Sequence, residues 1–503
     1  MQSLCISFYQ TLVPGISNVT LRMRYYGFYA WLCSSYAHHE RHTGDANWKH
    51  YLRRAEALLA LVTMRANMSE AGISGVNWAR GLLRQELDVM VFSAATDQAK
   101  DEPQYLQQDF GAFSAAYGSQ LRAVGLLQRA KEHKTLVPTK LGESLANVFA
   151  NAIGDAGPLF LEISARGVVT SAELYRLASL ALGTISNTKE REAYEALLIH
   201  RAPDDVGLAD SRRLTLELVL RMAAQFGMQI GVDTVRWAAY AQRAPNGEPL
   251  KLPTQELETH CFAWAVYHAN DLLHAAYECL FLRCLQHLAS TPAGLRPQTL
   301  VQEVSAGILE EWKVAPATWQ DLLDFVQLTD DAWSVDEHSE YQLSRIILGL
   351  RSVAADCGSD LARVAVTLLA TLAKRLKPVA QDYLDVLTLR YGPTVRHELV
   401  YSLYSEFNFF QELAQAPLGD MLQKLLHRIL ERHTWIAFQK LRYRTEYTFL
   451  FESHDGLLRT RGLDGPVLTN PRLASTLGFM RDLNLLDQDG ITTVGAAALE
   501  RMR

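Results

Sequence analysis

The length, composition and charge of this chain set the first limits on its architecture. A chain of 503 residues is too long for one ordinary core, which predicts two to four domains or an extended helical array. Apolar residues make up 49% and charged residues 21%, which excludes extended disorder. The net charge of −6 excludes a uniformly basic coat protein, so any nucleic-acid contact must be a local patch.

The cysteines and the N-terminal residues bear on location. The six cysteines form no C-x-x-C pair and no zinc-finger spacing, which is typical of reduced thiols in a cytosolic protein. Residues 1–9 lack the basic start and apolar run of a signal peptide, and no apolar run approaches the ~18 residues of a membrane span. The sequence predicts a cytoplasmic protein without membrane contact.

The first distinctive element is residues 12–31. A Pro-Gly turn and the capping residues 17–20 precede a helix that is rich in arginine and aromatic residues. Arg22, Arg24 and Tyr26 are candidates for nucleic-acid binding, because guanidinium groups beside aromatic rings hold phosphates and stack bases. The same residues could instead fix a buried helix by cation–π contacts, and the stripe that includes Tyr25 and Phe28 is expected to pack into the core.

The rest of the chain has mainly helical periodicity. Apolar residues recur three and four apart in 52–62, 214–226, 256–288 and 364–376, with no strands alternating between helices. This pattern predicts a mainly α, multi-domain protein. We expect an N-terminal helical domain at 1–155, a central helical domain at 156–350 and a C-terminal helical domain at 351–503.

Two distant segments are similar to each other. Residues 117–146 and 477–499 each contain a helix that ends in a Leu-Leu pair, a polar hairpin and a Thr-x-x-Gly start of another helix. This order resembles the helix–wing–helix part of winged-helix domains and implies such modules near residue 130 and at the C-terminus. Because Arg122 lies on the first helix and Arg129 and Lys131 lie at its wing, the first copy is the better candidate for binding DNA.

The helix predicted at 255–286 carries a polar stripe. Its members follow each other at helical spacing: His260, Trp264, Tyr267, Asp271, His274 and Glu278. The stripe predicts an interface with a partner subunit or a second packing face with a hydrogen-bonded polar core. Alternatively, Asp271, His274 and Glu278 resemble half of a metal site in a helical bundle, although no matching second helix is found.

The segment 440–461 differs from the rest of the chain. The alternation at 447–451 followed by His-Asp-Gly predicts a β-hairpin. Four arginines, which we expect to contact phosphates, flank this hairpin: Arg442, Arg444, Arg459 and Arg461. No phosphate-binding lysine loop, dinucleotide glycine fingerprint or nucleophile elbow occurs, so no catalytic residue, cofactor or metal ligand is assigned.

Residues 14–31, PGISNVTLRMRYYGFYAW, resemble the N-terminal signature of a bacterial protein family encoded in antiphage defence islands. Residues 267–278 and 472–486 are also similar to segments of such proteins. The resemblance implies a role beside other subunits, such as an ATPase or a nuclease. We therefore expect a non-catalytic adaptor or nucleic-acid-sensing subunit of a defence complex. The alternatives are a metal-dependent nuclease and a purely structural scaffold.

Overall fold

The computed structural model describes residues 2–39, 45–97, 104–129, 135–183, 185, 187–199, 208–349, 357–392 and 401–502. The helices as far as residue 226 are α1 Gln2–Leu12, α2 Arg24–His39, α3 Asp45–Ala66, α4 Val76–Leu83, α5 Ser93–Thr96, α6 Gly118–Ala123, α7 Lys140–Ile153, α8 Ala156–Arg166, α9 Ser171–Arg176, α10 Thr188–Ile199 and α11 Leu208–Phe226. The later helices are α12 Val232–Ala241, α13 Gln255–Ala289, α14 Pro297–Glu310, α15 Trp319–Phe325, α16 Glu340–Leu348, α17 Ser359–Leu376, α18 Ala380–Tyr391, α19 Leu403–Glu412, α20 Leu418–Arg444, α21 Leu473–Asp482 and α22 Thr493–Arg501.

Strands are few and short. They are β1 Val89–Val91, β2 Leu127–Arg129, β3 Leu136–Pro138, β4 Val168–Thr170, β5 Phe451–His454 and β6 Leu457–Thr460. They pair antiparallel as β1–β4, β2–β3 and β5–β6. The protein is therefore mainly helical, as its periodicity predicts. None of the described helices is long and apolar enough to cross a membrane.

The chain forms two compact units, and both are discontinuous in sequence. Unit 1 consists of Met1–Tyr9 and Asp233–Thr469, and unit 2 consists of Gln10–Val232 and Asn470–Arg503. The boundaries that we expected at 155 and 350 do not coincide with these divisions. The C-terminal segment after residue 469 belongs with the first half of the chain, which no local sequence pattern indicates.

Unit 2 has α2 in its core. Helix α2 packs along α7, and its aromatic side chains are buried on several faces: Tyr25, Tyr26, Phe28, Tyr29, Trp31 and Tyr36. The stripe that includes Tyr25 and Phe28 therefore packs into the core, as predicted. Tyr117 contacts this cluster, with its ring centroid 4.6 Å from that of Tyr25 and 5.1 Å from that of Tyr29. Edge-to-face and tilted ring pairs of this kind add to the free energy of burial.

The buried carboxylate of Glu56 on α3 gives unit 2 a pH-dependent stability. It accepts hydrogen bonds from the amides of Ala112 and Phe113, both at 2.9 Å, and from the hydroxyl of Tyr29 at 2.9 Å. Burial raises the pKa of Glu56 from 4.5 to about 7, against the opposing effect of these hydrogen bonds.

The folded state binds the proton of the Glu56 carboxyl more tightly than the unfolded state does. Protonation of Glu56 therefore contributes stability that is present below pH 4.5 and is lost as the pH rises to 7. We expect the free energy of unfolding of the wild type, relative to Glu56→Gln, to fall by about 3 kcal/mol across that interval. Urea unfolding of both proteins at pH 4.5 and 8 measures this difference. A constant difference would contradict the prediction.

The two similar segments share one hydrogen-bonded motif within unit 2. In each, a short helix ends at a residue in the left-handed region, Gly125 with φ 76° or Asn484 with φ 58°. The threonine that caps the next helix donates to the carbonyl of that residue and accepts from an amide three residues on. The distances are 2.6 and 3.1 Å for Thr139 with Gly125 and Gly142, and 2.5 and 3.0 Å for Thr492 with Asn484 and Gly495. The predicted similarity of the segments therefore extends to their backbone bonding.

Unit 1 is organised around α13. This helix contacts α14, α16, α17 and α20, and it begins at Thr254, whose hydroxyl accepts from the amide of Leu257 at 3.3 Å. The predicted hairpin is also present, with Asp455 and Gly456 both at positive φ in its two-residue turn. Its first strand begins at Phe451, so the predicted strand at 447–451 is wrong except at its last residue.

Candidate functional site

The arginine and tyrosine side chains of α2 that we expected at an accessible surface are buried. The guanidinium of Arg24, which is 3% exposed, donates to both oxygens of Glu190 at 2.9 and 3.1 Å and to the carbonyl of Ala181 at 2.6 Å. Its guanidinium carbon also lies 5.4 Å from the ring centroid of Phe149. The hydroxyl of Tyr26 donates to the carbonyl of Gly15 at 2.5 Å. Arg24 and Tyr26 thus fix a buried helix in the core of unit 2 and do not face a ligand, which agrees with the alternative stated for them from the sequence.

Arg22 is also engaged. Its guanidinium pairs with Glu70 and with Asp482, at 3.0 Å from the latter. The second oxygen of Asp482 accepts from the amide of Met23 at 2.8 Å and so caps the start of α2. Burial raises the pKa of Asp482 to about 6, and Arg22 opposes that rise. Because two carboxylates neutralise Arg22 and only 15% of its side chain is exposed, we do not expect it to bind a phosphate.

The polar stripe of α13 faces the interior of unit 1. The carboxylate of Asp271, 0% exposed, pairs with Arg236 and accepts from the amide of Thr469 at 3.0 and 3.1 Å and from the hydroxyl of Tyr267 at 3.3 Å. The hydroxyls of Tyr267 and Thr469 are 2.7 Å apart. His260 and Trp264 are each 1% exposed. The first four members of the stripe therefore form the hydrogen-bonded packing face, and their assignment to a partner interface is wrong because these side chains are buried within the chain. Glu278, whose side chain is 27% exposed, lines a cleft instead.

The metal alternative gains no support from this arrangement. The oxygens of Asp271 are directed at Arg236 and Thr469, while His274 and Glu278 line a cleft on the same helix. Within the described ranges, no three histidine, cysteine, aspartate or glutamate side chains are grouped as metal ligands.

In the first repeated segment, two of the predicted nucleic-acid residues are exposed. Arg122 on α6 and Arg129 on β2 face solvent, and neither forms an ion pair with a described residue. Lys131 lies outside the described residues. In the second segment, six of the ten residues of helix α21 are buried.

The end of α20 carries the largest group of exposed aromatic and basic side chains that we find in unit 1. This group, which we call the α20 tail, consists of Trp435, Phe438, Arg442, Tyr443 and Arg444. Trp435 is 56% exposed, Phe438 55% and Tyr443 70%. Neither arginine forms an ion pair with a described residue, and the guanidinium carbon of Arg442 lies 5.3 Å from the ring centroid of Tyr443.

The two arginines were predicted from the sequence, but the two aromatic residues before them were not. The signal that could have found them is their spacing, because Trp435, Phe438 and Arg442 recur at three and four residues on one helix face. Arg459 on β6 and Arg461 just after it are less available to phosphates. Arg461 pairs with Glu452 at 2.7 Å, and Arg459 donates to the carbonyl of Ala293 at 3.3 Å.

A cleft of about 440 Å³ lies between α13, α20 and the segments 448–450 and 464–465, all in unit 1. Phe281 and Ile436 contribute apolar wall, and His274, Arg432 and His433 contribute polar groups. Burial lowers the pKa of both histidines to about 4, so both are neutral at pH 7. His433 accepts from the amide of Leu450 at 3.1 Å, which fixes the returning segment against α20.

No family model, curated protein or solved structure matches this chain. The interpretation of the α20 tail and the cleft therefore depends on their own chemistry.

Proposed function

We propose that this protein is a non-catalytic adaptor or nucleic-acid-sensing subunit of a bacterial antiphage defence complex in the cytoplasm, and that the α20 tail binds single-stranded nucleic acid. The observation that carries the proposal is the exposure of Trp435 and Phe438 beside the guanidinium of Arg442, which forms no ion pair with a described residue. The role in defence and the presence of partner subunits, such as an ATPase or a nuclease, derive from the resemblance of residues 14–31.

Exposed aromatic rings next to arginines match the way in which proteins bind single strands. Bases stack on aromatic side chains with about 1–3 kcal/mol per base, and guanidinium groups track the phosphates. Cations at a helix C-terminus also stabilise the helix dipole by about 0.3–1 kcal/mol. That effect accounts for Arg442 and Arg444 but gives no reason for two large rings, each more than half exposed, on the preceding turns.

The two repeated segments are proposed to be winged-helix-like modules. In the first, Arg122 and Arg129 face solvent on a helix and on the strand that follows it, which is the placement that duplex contacts use. We assign duplex contacts to these two residues and a structural role to the second module, whose helix α21 is mostly buried.

Binding of labelled single strands across a salt series separates phosphate contacts from stacking. The double variant Arg442→Ala/Arg444→Ala is expected to reduce the slope of log K against log salt concentration by about 1.4, since each single-strand phosphate contact contributes about 0.7. Trp435→Ala/Phe438→Ala is expected to weaken binding by about 1–3 kcal/mol per stacked base and to leave the slope unchanged.

Arg84→Ala is the matched control, because Arg84 is also exposed at a helix end but lies in unit 2. Equal binding by the wild type and both tail variants would contradict the proposal. Including Mg²⁺ or Mn²⁺ in the same reactions tests the nuclease alternative, which metal-dependent cleavage would favour.

A further inference from the structure

The cleft in unit 1 contains charged and polar atoms that the fold leaves without partners. The Nη1 atom of Arg432 is shielded from solvent and forms no hydrogen bond. The guanidinium carbon of Arg432 lies 3.8 Å from the ring centroid of Tyr401, which fixes the plane of the group. No carboxylate among the described residues pairs with Arg432, and desolvation lowers the pKa of this arginine to about 9.

Arg428, an arginine of the same helix, differs from Arg432 because it pairs with a buried carboxylate. One turn earlier on the helix, Arg428 donates to both oxygens of Glu406 at 3.2 and 3.0 Å. Glu406 is 0% exposed and also accepts from the hydroxyl of Tyr277 at 2.5 Å. A largely desolvated guanidinium without such a partner costs stability, so Arg432, which pairs with no carboxylate among the described residues, needs a different explanation.

The rest of the cleft has the composition of a small-molecule site. Its volume of about 440 Å³ is within the range of about 300–1,000 Å³ that is usual for ligand pockets. Phe281 and Ile436 give it apolar walls, and Lys440 adds a second cation with no ion pair to a described residue. The rings of Phe281 and His433 pack against each other in this wall, with their centroids 4.6 Å apart.

The two acidic residues that line the cleft, Glu278 and Asp464, both accept a hydrogen bond from a backbone amide. Glu278 accepts from the amide of Val467 at 2.8 Å through one oxygen, and its other oxygen lies 3.2 Å from Nε2 of His274. This contact lacks hydrogen-bond geometry, so Nε2 of His274, a residue 8% exposed, has no hydrogen-bond partner. Asp464 is exposed and accepts from the amide of Gly465 at 3.0 Å.

We propose that this cleft binds a small organic anion, an oxyanion attached to an apolar body. Arg432 and Lys440 hold the carboxylate or phosphate, His274 contributes a neutral hydrogen-bonding nitrogen, and the wall of Phe281 and Ile436 packs on the body. The site shares no lining residue with the α20 tail, and Trp435, Phe438 and Arg442 lie on a different face of the same helix.

The test uses the fluorescent aromatic sulfonate 8-anilinonaphthalene-1-sulfonate as the probe on the full chain. We expect it to bind the wild type, to be displaced by 4-phenylbutyrate or phenyl phosphate, and to resist the neutral 4-phenylbutanol. Displacement by one anion and not the other identifies carboxylate or phosphate as the preferred group. Because the probe also binds exposed apolar surface, the experiment is repeated in the Trp435→Ala/Phe438→Ala background, where anion-specific displacement is expected to persist.

The variant Arg432→Met is expected to weaken probe binding at least about tenfold, in line with the loss of one charge-assisted contact. Its urea midpoint is expected to stay equal to that of the wild type or to rise, because the change removes an unpaired buried charge. Lys424→Met, which alters an exposed cation of the same helix away from the cleft, is the matched control and is expected to change neither value.

Three results would overturn the proposal: equal probe binding by Arg432→Met, equal displacement by the neutral alcohol, or a lower urea midpoint of Arg432→Met. The last result would show that Arg432 serves the fold. None of them bears on nucleic-acid binding by the α20 tail, so failure of this proposal and of the proposed function can be told apart.

Discussion

Replacing Asp271 with alanine is expected to lower the free energy of unfolding by about 3–5 kcal/mol. The change leaves the guanidinium of Arg236, which is 4% exposed, without its carboxylate in the core of unit 1. It also removes the acceptor of the Thr469 amide, which lies at the end of the unit 1 segment. Urea unfolding followed by tryptophan fluorescence and by circular dichroism measures the loss.

The double variant Asp271→Leu/Arg236→Met is the control, because it removes both charges and keeps apolar volume. We expect it to recover most of the stability that Asp271→Ala loses, as replacements of whole buried ion pairs often do. A double variant less stable than Asp271→Ala would show that the pair stabilises unit 1 beyond neutralising its own charges.

Replacing Arg24 with methionine is expected to cost unit 2 a similar amount, about 3–5 kcal/mol. Glu190, 0% exposed, would lose both hydrogen bonds from the guanidinium and keep only that from the hydroxyl of Tyr194 at 3.0 Å. Arg122→Ala is the matched control, since Arg122 is exposed and forms no ion pair with a described residue, and it is expected to change stability by less than about 0.5 kcal/mol.

The same two variants separate a structural from a ligand-binding role of α2. Under the geometry described, folded Arg24→Met binds single-stranded nucleic acid as well as the wild type does. If instead Arg24→Met retained wild-type stability and lost binding, the arginine would have to leave its pair with Glu190 in solution, and the buried geometry would be contradicted.

Helices and local turns were predictable because their signals lie within a few residues of each other. The period of apolar residues gave α13 to within three residues at its end, and the Asp-Gly pair gave the turn between β5 and β6. The Thr-x-x-Gly similarity also proved to be a shared pattern of hydrogen bonds. In each case the interacting groups are close in sequence, so the pattern contains the physical cause.

The partners of charged residues could not be predicted in this way. Arg24 looks like a surface residue in sequence because its partner Glu190 is 166 positions away, and Arg22 is neutralised in part by Asp482, close to the C-terminus. The polar stripe of α13 was assigned to a partner interface for the same reason. A regular polar face predicts that its residues share a direction, but it does not distinguish water from buried partners such as Arg236 and Thr469.

The two candidate sites also differ in whether residues close in sequence form them. The arginines of the α20 tail were predictable because a basic segment at a helix end is local. The cleft was not, because its walls come from α13, α20 and residues 464–465, and because the feature that distinguishes Arg432 from Arg428 is the absence of a nearby carboxylate among the described residues. In the sequence, Arg428 and Arg432 are simply two arginines one helical turn apart.

The division of the chain has a consequence for the order of events during synthesis. Ribosomes add about 5–20 residues per second, so the 233–469 segment emerges over roughly tens of seconds after the first part of unit 2 is complete. Until the C-terminal residues follow, the amide of Met23 lacks its cap Asp482, and the ring of Tyr26 lacks Phe479, 5.4 Å away in the finished protein. Unit 1 has all of its residues once Thr469 has been added, so unit 2, most of which is synthesised before most of unit 1, is the last to be completed.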